Sequence, residues 1–281
     1  MKYVKLILIP FAYLFRSRLR SNIEKASWFL IYPAPVMLIC LYFFPFNSYK
    51  FIPLFFSLLF SFQYVYEFWY IYNDSVTINN EKNPTIRVSQ FESDYFFENI
   101  LMIFFIRLIL SLSFLGLFIF LLMGIGLPNK SIFYLSGSFL LILIFVCIFY
   151  WLHNNYRNRF NIITYFFLSF FKFFGLIYPF FLVANSENFL ELMIVVILMF
   201  PALRTLEHSR KSKYELQLVK KIITDVDRFR VIYYFSNSIL FFSYYYLMGS
   251  FILVAIVSLY YFVVRLFAFL YAKKFRLLFP K

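Results

Sequence analysis

An all-α protein integral to a membrane is the fold class this sequence predicts, and three observations predict it. Apolar residues fill 63% of the 281 positions and charged residues only 14%, whereas a soluble domain is nearer half apolar and about a quarter charged. The apolar residues gather into runs long enough to cross a bilayer. The basic residues flanking those runs fall almost entirely on one side.

The runs lie at about 28–45, 51–72, 98–126, 131–152, 160–184, 188–203, 229–247 and 249–270, which predicts about eight transmembrane helices. The third run has the length to tilt or to break near Gly116. Pro33, Pro35, Pro53 and Pro179 lie in or beside runs, where kinks are tolerated. Ahead of the first run, Leu6 to Phe15 is a short apolar stretch with basic neighbours and no small-residue cleavage site. It reads as a retained interfacial helix rather than a signal peptide. The expected organisation is a basic interfacial segment over 1–27, a single transmembrane domain over 28–270 and a basic tail over 271–281.

Placing the N-terminus inside partitions the charges. Lys2, Lys5, Arg16, Arg18, Arg20 and Lys25 precede the first run; Lys82 and Arg87 follow the second, and Arg157 and Arg159 the fourth. Arg204, Arg210, Lys211, Lys213, Lys220, Lys221, Arg228 and Arg230 follow the sixth, and Lys273, Lys274, Arg276 and Lys281 close the chain. Lys50 and Lys130 fall on the other side. The partition predicts a multi-pass protein of the inner (cytoplasmic) membrane with both termini cytoplasmic. A net charge of +14 would suggest nucleic acid as partner of a soluble protein. Here topology and anionic membrane lipids account for it, and no nucleic-acid partner is expected. Cys40 and Cys147 sit in apolar runs without partners at metal or redox spacing and are assigned to packing. The 45 Phe and 24 Tyr make the helix surfaces bulky.

The sizeable polar stretches are two same-side loops, about 73–97 and 204–228. In the first, Asn73, Thr77 and Glu81 recur at helical spacing with Asp74 beside them. Glu67, Asp74 and Glu81, each seven residues apart, set three carboxylates along one stripe. Oxygen ligands in that arrangement suit Mg²⁺, with Asp74 and Glu81 as its ligands. Arg87, after a helix-ending Pro84, would meet a phosphate. The competing interpretation of Asp74 and Glu81 is a pair of solvated loop acids. Glu67 differs, because an acid within a span is costly. Arg107 and Lys172 lie inside the third and fifth runs as candidate partners for it, and a structural salt bridge stands beside a substrate role.

The second loop contains Glu207-His208-Ser209-Arg210-Lys211-Ser212-Lys213-Tyr214-Glu215. Its basic residues, Lys211 and Lys213 among them, suit a phosphate, and Glu207 or Glu215 a metal; an ordinary basic cytoplasmic loop is the alternative. His208 has no second histidine at ligand spacing, which argues against zinc.

A second span ending in Asn73-Asp74, acids spaced onward through Thr77 and Glu81, and then Asn83-Pro84-Thr85 with Arg87 resemble the first motif of the UbiA superfamily of intramembrane prenyltransferases. Thr77 stands where that family has a second Asp, and Glu81 where it has a third. Tyr156-Arg157-Asn158-Arg159, with the run to Lys172 and Gly175, is similar to the family's basic loop and fifth span. The second loop lacks the usual Asp-x-x-Asp. Its Lys213-Tyr214-Glu215-Leu216 looks more like the decaprenyl-phosphate phosphoribosyltransferase branch. The family usually has nine spans.

The resemblance implies a helical bundle around a cavity open to the cytoplasm, with an isoprenoid lipid as substrate and a second molecule as acceptor. It implies Mg²⁺ on Asp74 and Glu81, with Asn73 beside them, and Arg87, Arg159 and Lys213 on the diphosphate. The expected activity is transfer of a polyprenyl group from a prenyl diphosphate. The alternatives are phosphoribosyl transfer to a polyprenyl phosphate, using Lys211, Lys213 and Glu215, and a transporter or lipid-handling protein without catalysis.

Overall fold

The structure is a computed structural model describing residues 3–44, 48–78, 84–156, 158–184 and 188–278. Its helices are α1 (Val4–Leu8), α2 (Ala12–Ser17), α3 (Asn22–Ile31), α4 (Pro33–Phe43), α5 (Ser48–Ser75), α6 (Gln90–Glu98), α7 (Ile100–Met123) and α8 (Asn129–Asn155), followed by α9 (Phe160–Ala184), α10 (Phe189–Met199), α11 (Pro201–Ser209), α12 (Gln217–Ile222), α13 (Val226–Met248) and α14 (Ile252–Leu278). No strand occurs among the described residues.

Among the described residues, seven stretches are long and apolar enough to cross a membrane: Asn22–Phe43, Tyr49–Ser75, Ile100–Met123, Asn129–Asn155, Phe160–Ala184, Phe189–Ser209 and Ile252–Ala272. The chain is therefore a multi-pass, all-α membrane protein. The remaining expected span, 229–247, corresponds to α13. That helix has 23 residues, but Arg230, Asn237, three serines and five tyrosines keep it outside the apolar set. A tyrosine counts as apolar in a run of residues yet carries a hydroxyl that lowers hydropathy.

Two compact units divide the chain. One holds residues 1–29, 36–157 and 171–186; the other holds 30–35, 158–170 and 187–281.

The first unit is built on α5, buried along most of its length and packed against α2, α6, α7 and α8. Leu54, Phe55, Leu58, Phe62 and Ile71 of α5, with Ile103 and Phe118 of α7 and Phe139 of α8, form its core. Helix α7 runs unbroken through Gly116. At Gly175 a side chain would not fit: a Cβ would lie 3.0 Å from Ile142 and 3.1 Å from Phe62.

The N-terminal segment is two short helices rather than one interfacial helix. Pro10 supplies no backbone N–H, and Phe11 adopts a left-handed conformation at φ 66°, which ends α1 and redirects the chain into α2. Such a residue costs of order 1–3 kcal/mol and persists only where its surroundings hold it. Here they do: Ile7, Tyr13 and Leu14 are buried, and the Phe11 amide donates to Glu67 at 3.1 Å.

In the second unit α13 and α14 pair along their length, α14 also packs on α10, and α11 touches α13. Gly249, at φ 70°, closes α13 by donating its N–H to the Tyr245 carbonyl at 2.8 Å, the usual use of glycine at a helix C-terminus. Glu191 at the head of α10 accepts the Leu253 N–H at 2.9 Å, giving one orphan amide of α14's first turn a partner. Tyr260 and Tyr261 donate to the Leu30 and Ile31 carbonyls at 2.8 and 2.7 Å.

Candidate functional site

The polar end of α5 carries a charged cluster centred on Asp74. Asp74 is 1% exposed, one residue before the helix ends. Its Oδ1 accepts from Arg18 Nη2 at 3.0 Å, Arg87 Nη1 at 3.2 Å and Asn73 Nδ2 at 3.2 Å. Its Oδ2 accepts from Tyr13 Oη at 3.0 Å and Arg18 Nη2 at 3.1 Å. Burial and the adjacent Asp74 carboxylate push the Tyr13 phenol well above its ordinary pKa, so it stays a neutral donor. Thr77 donates to Asn73 Oδ1 at 3.4 Å, and Arg20 holds the Arg87 carbonyl at 2.9 Å. Asp74 is thus a buried acid that gathers two guanidiniums.

The expected Mg²⁺ pair is Asp74 with Glu81, and Glu81 lies outside the described residues. On its own Asp74 does not fit a divalent cation. Both carboxylate oxygens already carry donors, and two adjacent positive charges oppose a third. No group of three or more His, Cys, Asp or Glu side chains suited to a metal occurs among the described residues.

The carboxylate stripe has a different occupant. Glu67 is fully buried and pairs with Arg107 at 3.2 Å, while its two oxygens also accept the Leu14 amide at 2.8 Å and the Phe11 amide at 3.1 Å. Arg107 also donates to the Leu6 carbonyl at 2.6 Å. Of the two candidate partners for Glu67, Arg107 is the one that meets it. The Glu67–Asp74 face of α5 is therefore covered by the N-terminal segment.

Next to the Asp74 cluster runs a lane of aromatic rings. The Arg18 guanidinium lies 4.3 Å from the Tyr70 ring, the Tyr70 and Tyr66 rings lie 6.2 and 4.9 Å from Tyr150, and Lys172 sits 5.3 Å over Tyr66. Trp69 stacks on Tyr150 at 6.0 Å. A cation stands at each end, and the faces between them carry the negative quadrupole that attracts positive charge.

The second loop is mostly helical, as α11, a 3-10 turn at Ser212–Tyr214 and α12. Glu207, 7% exposed, takes Arg230 at 2.6 and 2.8 Å and Arg204 at 2.5 Å. His208 stacks on Tyr165 at 4.1 Å between ring centres and bonds through Nε2 to the buried Tyr214 hydroxyl at 2.7 Å. Lys213 lies 4.7 Å from the Tyr214 ring. Arg159 meets Glu215 at 3.6 Å with both side chains exposed, a pair worth at most about 1 kcal/mol. Glu207, Arg210, Lys211 and Lys220 line an open pocket of about 390 Å³.

Sequence reasoning counted Arg18 only as a topological charge and passed over Tyr13, Tyr70 and Tyr150. Nothing in their spacing marks them, because the fold brings them from three separate segments. Glu191 and Arg265 did carry a signal. Each is a charge inside an apolar run, the mark that singled out Glu67, Arg107 and Lys172.

Compared with family models, with curated proteins and with solved structures, the chain matches none.

Proposed function

We propose that this chain is an intramembrane transferase that holds the phosphate end of an isoprenoid lipid and moves a polyprenyl group from a prenyl diphosphate to an acceptor. The observation that supports this reading is the pair Arg18 and Arg87, gathered on buried Asp74 at 3.0 and 3.2 Å beside the Tyr70–Tyr150–Tyr66 lane. A diphosphate competes with Asp74 for the two guanidiniums, whose planar forks match phosphate oxygens. As the C1–O bond breaks, the electron pair leaves with the diphosphate and the arginines stabilise the growing charge. The allylic cation left behind is met by the aromatic faces, and the acceptor bonds to C1 and gives up its proton to the released diphosphate. Asp74 and Asn73 act by positioning the arginines. The charge partition supports a cytoplasmic placement for this end of α5 and for both termini. Mg²⁺, expected from the sequence, is left to the EDTA arm of the test below, and none of these steps is routed through it.

One observation favours the second reading, phosphoribosyl transfer to a polyprenyl phosphate. The pocket of about 390 Å³ lined by Arg210, Lys211 and Lys220 suits a sugar phosphate, since its acid, Glu207, is already neutralised by two arginines.

The deciding experiment incubates purified protein with Mg²⁺, radiolabelled prenyl diphosphates or phosphoribosyl diphosphate, and extracted lipids as acceptors. A labelled lipid product is expected, and the donor consumed chooses between the two readings. An EDTA arm tests the metal. Lys172→Met is expected to weaken donor binding about tenfold with little change in melting; the reverse pattern makes Lys172 structural. No product from any donor, in protein shown to be folded, overturns both readings and leaves non-catalytic lipid handling.

A further inference from the structure

Arg265 lies in α14, within the apolar stretch Ile252–Ala272, and is 8% exposed. It makes no hydrogen bond or salt bridge among the described residues, and its buried Nε is without a partner. The buried Tyr234 phenol is its strongest electrostatic neighbour, and the one carboxylate whose field reaches it is Glu207, which already takes Arg204 and Arg230. The surroundings are therefore cationic: Arg204, Arg230 and Arg265 stand against Glu207 and Asp227. A guanidinium left unpaired at membrane depth is costly, and such groups mark a ligand or an ion path by default.

One turn away the same hairpin has a groove of about 320 Å³, lined by Phe235, Ser238, Ile239, Phe242, Leu259 and Phe262 among others. Leu259, Phe262 and Arg265 follow at intervals of three along α14 and so occupy adjoining surface. The Ser238 hydroxyl is bonded back to the Tyr234 and Phe235 carbonyls at 2.8 and 3.0 Å, so it asks nothing polar of an occupant. Ile239 and Leu259 are exposed, and an acyl chain reaches the groove without entering the unit's core. Arg265 is seven residues before Ala272, about 10 Å along the helix axis, close to where headgroups give way to acyl chains.

We infer that the α13–α14 hairpin carries a binding site for an anionic bilayer phospholipid, with the phosphate on Arg265 and one acyl chain in the Phe235–Phe262 groove. The guanidinium gains the oxygen acceptors it lacks, and the groove gives the chain an apolar wall. The site does not depend on the transfer chemistry proposed above.

The test uses the full chain in detergent, titrated with phosphatidylglycerol or with phosphatidylcholine of the same acyl chains. Bound lipid is counted by native mass spectrometry, and melting is followed in parallel. The expected result is one phosphatidylglycerol retained about tenfold more tightly than phosphatidylcholine, with a raised melting temperature. Arg265→Gln should erase that preference. Ile239→Trp, which fills the groove from its exposed side, should weaken both lipids and keeps the test open if the arginine variant does not fold. Equal retention of the two lipids in the wild-type chain overturns the proposal. So does displacement by millimolar inorganic phosphate, which would make this a free-anion site. Tighter binding of a polyprenyl phosphate at the same place would make it a substrate site instead, and also overturns it.

Discussion

Removing the Glu67 carboxylate should cost this protein more stability than any other single truncation in the first unit. The side chain is fully buried and serves one guanidinium, at 3.2 Å, and two backbone amides, at 2.8 and 3.1 Å. In Glu67→Leu, Arg107 keeps its charge at 1% exposure and loses the group that balances it. Breaking one side of a buried pair costs about 3–5 kcal/mol, and each orphaned amide adds about 1–3 kcal/mol, less whatever overlaps. At about 2–4 °C per kcal/mol for a chain near this size, melting in detergent should fall on the order of 10 °C. The decisive measurement is a double-mutant cycle with Arg107→Leu. In the wild-type background Arg107→Leu should destabilise, because it strands the carboxylate. In the Glu67→Leu background it should stabilise, because it removes an unpaired charge. The same sign in both backgrounds would refute the assignment of Glu67 and Arg107 as a structural pair.

Asp74→Asn keeps the shape of the cluster but leaves Arg18 and Arg87 unbalanced. Turnover in the labelled-donor assay should drop about 100-fold, the scale of misplacing positioned groups by about an ångström, with the protein still folded; full turnover would remove Asp74 from the site. Burial alone would raise the Glu92 pKa, but the Ser89 amide and hydroxyl and Arg16 hold it below the ordinary carboxylate range. A lowered folded-state pKa stabilises above the unfolded value, about 4.3, and that contribution is lost as pH falls through the folded value. Melting followed from pH 7 to pH 3 should therefore show an acid-side loss that Glu92→Gln reduces; an unchanged profile would contradict the bonds of Glu92 to Ser89 and Arg16. Tyr214→Phe deletes the 2.7 Å bond to His208 and should destabilise by about 1–3 kcal/mol, seen as a lower melting temperature, whereas unchanged melting would mean that bond is not formed in solution.

Periodicity and hydropathy made the apolar helices legible because lipid imposes one simple demand, an apolar run of fixed length. Helix α13 meets that demand less well, since its tyrosines extend an apolar run while their hydroxyls, with those of three serines, lower its hydropathy. The Glu67–Arg107 pair was legible as one of two options, because an acid in a span must find a cation and the candidates were few. The partners of Asp74 were not. Tyr13 and Arg18 come from about 60 residues upstream, and their approach depends on the left-handed turn at Phe11, which no residue pattern announces. Glu67 and Asp74 do share one face of α5, while Glu81 lies outside the described residues; periodicity does not reveal what covers that face. The N-terminal segment takes up its carboxylates with amides and guanidiniums.

That arrangement has a consequence for biogenesis. Residues 4–17 leave the ribosome before the side chains they bind exist, since Glu67 and Arg107 are synthesised much later. At about 5–20 residues per second, the segment waits roughly 5–20 s before Arg107 is made. During that interval it is an apolar, positively charged strip with unmet amides, a ready client for the insertion machinery. The last step in closing the first unit is then the return of the α1–α2 segment onto helices already in the bilayer. A bulky domain inserted just ahead of α1 would act on that step, and its cost would show as lower yield of inserted protein rather than as a lower melting temperature of what does assemble.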